Sequence, residues 1–62
     1  MNHYFVAYHG SSRSGRDAFG HTLVDTDADM YTASGFATVR EFIEKHSEFD
    51  SIVILNFIEM DD

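Results

Sequence analysis

Apolar positions along the chain fall into three extended runs and one helical stripe. Residues 3–9, His-Tyr-Phe-Val-Ala-Tyr-His, are aromatic and β-branched and predict a first strand. Residues 10–16, Gly-Ser-Ser-Arg-Ser-Gly-Arg, have turn composition. Residues 18–25 predict a second strand, so the seven-residue connection reads as a hairpin with a long tip. Most hairpin loops have roughly two to five residues, and longer ones more often carry function. Residues 26–33 predict a turn or irregular segment. A helix follows. Thr38-Val-Arg-Glu41 fits a capping box, in which each side chain satisfies the other's free backbone N–H; Ser34 is an earlier alternative cap. Val39, Phe42, Ile43 and His46 share the expected buried face, and Arg40, Glu41, Glu44 and Lys45 the other. Glu41 and Lys45 form an i, i+4 pair in the favourable order. Residues 51–60 predict the last strand, apolar on both sides. Simple alternation puts Ile52, Ile54 and Ile58 on one face and Val53, Leu55 and Phe57 on the other.

Strand, strand, helix, strand is a ββαβ order. If the helix packs back across the sheet, the third strand runs antiparallel beside the first. The expected fold is therefore α+β: one domain over residues 1–62, with a three-stranded antiparallel sheet ordered 2-1-3 and one helix on one face. The other face would keep large apolar side chains from the last strand, and from Tyr4, Val6 and Tyr8 or their alternates. A monomer exposing that patch is unusual. A homo-oligomer, a dimer or higher, is expected, most simply through two-fold symmetry.

Size strengthens that expectation. A 62-residue chain buries a small share of its surface and is marginal alone. It has no cysteine, so disulfides and thiolate metal sites are excluded, which fits a reducing cytoplasm. No apolar run approaches the roughly 20 residues needed to span a bilayer, and no membrane partner is expected. The N-terminus lacks a basic start and a small-residue cleavage site, so no signal peptide is expected. At 44% hydrophobic and without proline, the composition is that of a folded chain.

Charge separates the two parts of the chain. The net charge of −7 argues against a general nucleic-acid binder, and no double-stranded nucleic acid partner is expected. Residues 1–22 carry Arg13 and Arg16 against Asp17, a balance of +1. Residues 23–62 carry Arg40 and Lys45 against ten acids, a balance of −8. Three of the four histidines, His3, His9 and His21, lie in the N-terminal third.

The cationic loop is the leading candidate for a small-ligand site. Ser11, Ser12 and Ser14 offer hydroxyls, and Gly10 and Gly15 let backbone N–H groups approach a ligand. Arg13 and Arg16 can each grip a phosphate with two N–H donors. Tyr8, His9, Phe19 and His21 flank the loop, and rings beside arginines suit a base plus a phosphate. The candidate ligand-binding residues are Tyr8, His9, Gly10, Ser11, Ser12, Arg13, Arg16, Phe19 and His21. Against this stands a plain hairpin tip with solubilising charges, and core packing for Phe19. The loop matches neither G-x-x-x-x-G-K-[ST] nor G-x-G-x-x-G.

Other chemistries find less support. His9-Gly-Ser11 matches one H-x-[ST] element of the two-histidine phosphoesterases. The second element fails, because His21-Thr-Leu places its hydroxyl one position early. His9 and His21 facing each other across the hairpin could still act as acid and base. A zinc site on them lacks a third and fourth ligand. Asp25-Thr-Asp27-Ala-Asp29 resembles the start of a calcium loop, but Met30 and Phe36 stand where glycine and glutamate are needed. That segment reads as a solvated acidic turn. Glu59, Asp61 and Asp62 read as a charged tail guarding a strand end. No serine has a G-x-S-x-G setting. Neither an enzyme nor a cofactor is expected.

Taken together, Asn2-His-Tyr-Phe-Val-Ala-Tyr-His, a Gly-containing loop, Ala18-Phe-Gly-His-Thr, a short charged-ended helix and Ser51-Ile-Val-Ile-Leu-Asn-Phe resemble a family of tiny phage-encoded proteins. These are the viral nucleotide sponges, such as anti-CBASS proteins, which sequester nucleotide immune signals. The likeness spans nearly the whole chain, on short motifs, and assigns no binding residues. It implies a non-catalytic protein in the cytoplasm of an infected bacterium. The implied ligand is a cyclic oligonucleotide or a cyclic ADP-ribose derivative, whose capture would inhibit anti-phage defence. The alternatives are an acidic phage protein that blocks a host protein by direct contact, and a small phosphoesterase using His9 and His21.

Overall fold

The computed structural model describes residues 1–61. Its elements are β1 (Asn2–Ser11), β2 (Asp17–Thr26), α1 (Ala33–His46) and β3 (Ser51–Met60). The three strands form one antiparallel sheet in the order β2-β1-β3, as the sequence pattern predicts. β1 and β2 outrun their apolar stretches. Pairing continues from Asn2 opposite Thr26 to Ser11 opposite Asp17, so the connection shrinks to residues 12–16. No helix among the described residues is long and apolar enough to cross a membrane.

The core lies between the sheet and α1. Tyr4 and Val6 of β1, Val24 of β2, Met30, Val39 and Ile43, and Ile52 of β3 are its buried side chains. Phe36 and Phe57 pack against them. Phe57 meets Tyr4 edge-on at 5.8 Å and Phe36 at 6.2 Å between ring centroids.

The helix begins earlier than the capping-box pattern predicts. Thr32 is its N-cap, with Oγ1 accepting a bond from the Gly35 N–H at 3.1 Å. Thr38 is internal, and its hydroxyl donates back to the Ser34 carbonyl at 2.9 Å. Asp29 decides the start. Its carbonyl accepts from the Thr32 N–H at 3.0 Å and the Thr32 hydroxyl at 2.7 Å, while its carboxylate accepts from the Tyr31 N–H at 2.9 Å. The Asp29 backbone also fills the space a side chain would need at Gly35. Residues 26–32 are thus a pinned turn. The Met30 N–H donates to the Tyr4 hydroxyl at 3.2 Å, and Asn2 Nδ2 to the Ala28 carbonyl at 3.0 Å.

The buried helix residues differ from the expected stripe. Gly35, Val39 and Ile43 face the sheet. Phe42 is 50% exposed and His46 is exposed as well, contrary to the expected stripe. Their rings sit 4.3 Å apart on the outside. The ion pair on this helix is Arg40 with Glu44, at 2.9 Å. The Glu44 carboxylate also accepts the Ile52 N–H at 3.0 Å, fastening α1 to the start of β3.

The faces of β3 also depart from simple alternation. Its pairing with β1 shifts between Ala7 and Tyr8: Tyr8 lies opposite Ile54 and Ala7 opposite Asn56. Leu55 is the extra residue of a β-bulge, and one extra residue inverts the phase of everything beyond it. Ile52, Ile54 and Phe57 therefore point toward the helix. Val53, Leu55 and Ile58 are each more than half exposed.

Candidate functional site

The hairpin tip is a closed turn. The Ser12 N–H donates to the Arg16 carbonyl at 2.8 Å, and the Gly15 N–H to the Ser12 carbonyl at 3.1 Å. Ser12 Oγ meets Ser14 Oγ at 2.8 Å and accepts the Arg16 N–H at 3.3 Å. Gly15 closes the turn at φ +87°, a conformation that favours glycine. The Arg13 N–H donates to the Asp50 carboxylate at 2.7 Å, and the Asp50 N–H to the Ser11 carbonyl at 2.9 Å. The N–H groups of Ser12, Arg13, Gly15 and Arg16 are thus all used within the chain. A phosphate arriving here would meet guanidinium groups and hydroxyls rather than a cradle of amides.

Glu48, Phe49 and Asp50, between α1 and β3, are the neighbours that sequence reasoning missed. Arg16 Nη2 lies 3.9 Å from Glu48 Oε1, both side chains well exposed, so this pair is screened and weak. Phe49 lies against Gly10, where any side chain would collide with its ring. The cleft bounded by Ser12, Ser14, Arg16, Glu48 and Phe49 is about 80 Å³. Among these contacts only an acidic residue just before a predicted strand was visible in the sequence. Asp50 and Arg13 are 37 positions apart.

The remaining candidates divide between the two faces of the sheet. Tyr8 and Gly10 are on the helix side, where the Tyr8 ring covers Gly20. Ser11, His9, Phe19 and His21 are on the open side by register. Phe19 is 79% exposed, which removes its core reading. His9 lies opposite Phe19, their rings 5.0 Å apart and tilted by 53°. His9 Nε2 is 3.2 Å from Asp17 Oδ2. His21 lies opposite Ala7, making it a diagonal neighbour of His9, and stacks on Phe5 at 5.4 Å. His3 Nδ1 meets Asp25 Oδ1 at 2.7 Å at the far end. Among the described residues, no three of His, Cys, Asp or Glu converge where a metal ion could sit.

Three further clefts have volumes of about 90, 140 and 240 Å³. The first two run between β2 and α1, on either side of Phe42. The widest is at the other end of the sheet, by His3, Leu23, Asp25 and Met60. Small-molecule sites usually start near 300 Å³. A scan of protein-family models, a search of curated proteins and a search of solved structures each returned no match for the chain.

Proposed function

We propose that the chain is a non-catalytic binding protein that sequesters a nucleotide-derived signal, of the cyclic oligonucleotide or cyclic ADP-ribose type. One observation carries the reading. The ring pair of exposed Phe19 and half-buried His9 stands on the open face, two strand rows behind the Ser11–Asp17 pair that borders the tip bearing Arg13 and Arg16. Flat ring surface next to guanidinium groups is the complement of a base and its phosphate. Sequestration needs affinity and copy number rather than a reacting group. In an infected bacterium, as the resemblance implies, such capture would blunt anti-phage signalling.

Thermal shift across a panel of cyclic di- and trinucleotides and cyclic ADP-ribose derivatives tests the proposal. One ligand class should raise the unfolding midpoint, because a ligand bound only to the folded state stabilises it by mass action. Phe19→Ala should weaken that ligand by roughly 5- to 150-fold, the equivalent of about 1–3 kcal/mol of stacking. Arg13→Ala and Arg16→Ala should each weaken it too. Ligand recovered after denaturation should be chemically intact. A flat response across the panel would refute sequestration, and a cleaved ligand would refute the non-catalytic reading.

A further inference from the structure

Large exposed apolar side chains are concentrated on one side of this molecule. Six of the nine among the described residues, Phe19, Leu23, Val53, Leu55, Ile58 and Met60, project from the sheet face that α1 leaves open. Half-buried Phe5 and Ala7 of β1 lie between them. The bulge contributes to this pattern, since it turns Ile58 and Met60 outward. Strands of ten residues at roughly 3.3 Å each, three abreast at roughly 4.8 Å, make a footprint of about 33 by 14 Å. That is about 460 Å² per copy before side-chain relief is counted, close to the roughly 500 Å² per side a specific interface needs.

Charge favours a second copy as the occupant. The strand positions of this face hold no Lys or Arg, and their carboxylates, Asp17 and Asp25, are each paired with a histidine. Among the described strand positions of this face those two are the only acidic side chains of the chain's eleven, so two copies meet here with most of their negative charge elsewhere. The side chains brought face to face distinguish two orientations. With the two-fold axis perpendicular to the strands, β2 lies over the partner's β2, and Asp17 faces the partner's Asp25. With the axis along the strands, β2 lies over the partner's β3. Phe19 then faces the partner's Val53, Leu23 the partner's Ile58, and His21 the partner's Asn56, while small Ala7 sits at the axis.

We propose that the open sheet face is the interface with a second copy of this chain, stacked with strands running in the same direction so that both hairpin tips meet at one end. Two sheets pack face to face in this way about 10 Å apart. The tips that carry Arg13 and Arg16 then lie at the same end of the dimer as two His9–Phe19 pairs, with Arg16 turned toward Glu48 and Phe49 on the helix side of each copy. This gives a near-symmetric ligand a shared site, a consequence that rests on the nucleotide reading; the interface itself does not.

Sedimentation of the ligand-free chain at micromolar concentration tests the interface. Wild type should run near 14 kDa, twice the 7.1 kDa chain. Leu23→Lys, at a position 69% exposed in one chain, should run near 7 kDa with unchanged circular dichroism, with Val53→Lys as the second variant. Phe42→Lys, on the helix side, should remain dimeric. The absence of native cysteine allows orientation to be read by cross-linking. A mixture of Leu23→Cys and Ile58→Cys chains should link through a short bis-maleimide more readily than a mixture of Phe19→Cys and Leu23→Cys. A monomeric wild type, folded lysine variants that stay dimeric, or the reverse cross-linking preference would overturn the proposal. A dimer that binds no nucleotide would overturn only the function proposed above.

Discussion

At the residue scale, Thr32 and Thr38 show how context assigns one side chain two roles. The Thr32 hydroxyl satisfies a helix-end N–H that has no partner within the helix. That of Thr38 bonds a carbonyl already inside the helix, which adds little. Thr32→Ala should cost about 1 kcal/mol, within the roughly 0.5–2 kcal/mol span of cap deletions. For a domain this small, that lowers the thermal midpoint by about 4–8 °C. Thr38→Ala should stay within about 0.5 kcal/mol, and larger loss from Thr38 than from Thr32 would relocate the cap. The sequence carries a good capping box at Thr38, with Glu41 three positions on. What overrides it is the turn just upstream, in which Asp29 bonds Tyr31 and Thr32 and packs its backbone against Gly35. The tip hid a similar fact. Its arginines and serines were legible as a cationic turn, but the carboxylate that takes the Arg13 N–H comes from the far side of the helix.

At the scale of elements, legibility depended on whether a segment alternates. β1, β2, α1 and the order β2-β1-β3 followed from runs, period and short connections. The faces of β3 did not, because Ser51–Met60 is apolar at nearly every position and gives no phase to read. A bulge there changes every subsequent side chain while leaving the run unchanged as sequence. β3 is also an edge strand, and its outward N–H at Ile52 needs an acceptor. Glu44 supplies it while pairing with Arg40. Glu44→Ala should therefore cost about 1 kcal/mol, as a charge-assisted bond discounted for partial exposure. Arg40→Ala should cost less, since it leaves the Ile52 bond in place. Urea midpoints of the two variants decide this, and equal losses would mean that the ion pair is all Glu44 provides.

For the whole molecule, the balance between buried and exposed apolar side chains governs stability. Among the described residues, seven side chains make the buried core, whereas nine large apolar ones are exposed. A chain this short gains little from such a core, and a partner that covers the open face adds burial the monomer lacks. Folding and association are then one equilibrium, and stability depends on protein concentration. A tenfold rise in concentration adds about 1.4 kcal/mol per dimer, or about 0.7 kcal/mol per chain. At about 4–8 °C per kcal/mol for a domain of this size, the wild-type midpoint should climb by roughly 3–6 °C per tenfold. Leu23→Lys leaves the single-chain core intact, because its side chain already faces solvent. Its midpoint should be lower than wild type and should not move with concentration. Calorimetry over two decades of concentration separates the cases. A wild-type midpoint that stays constant would place all the stability within the single chain and leave the open face solvated. A midpoint that climbs in both proteins would move the contact to another surface, such as the β2 edge.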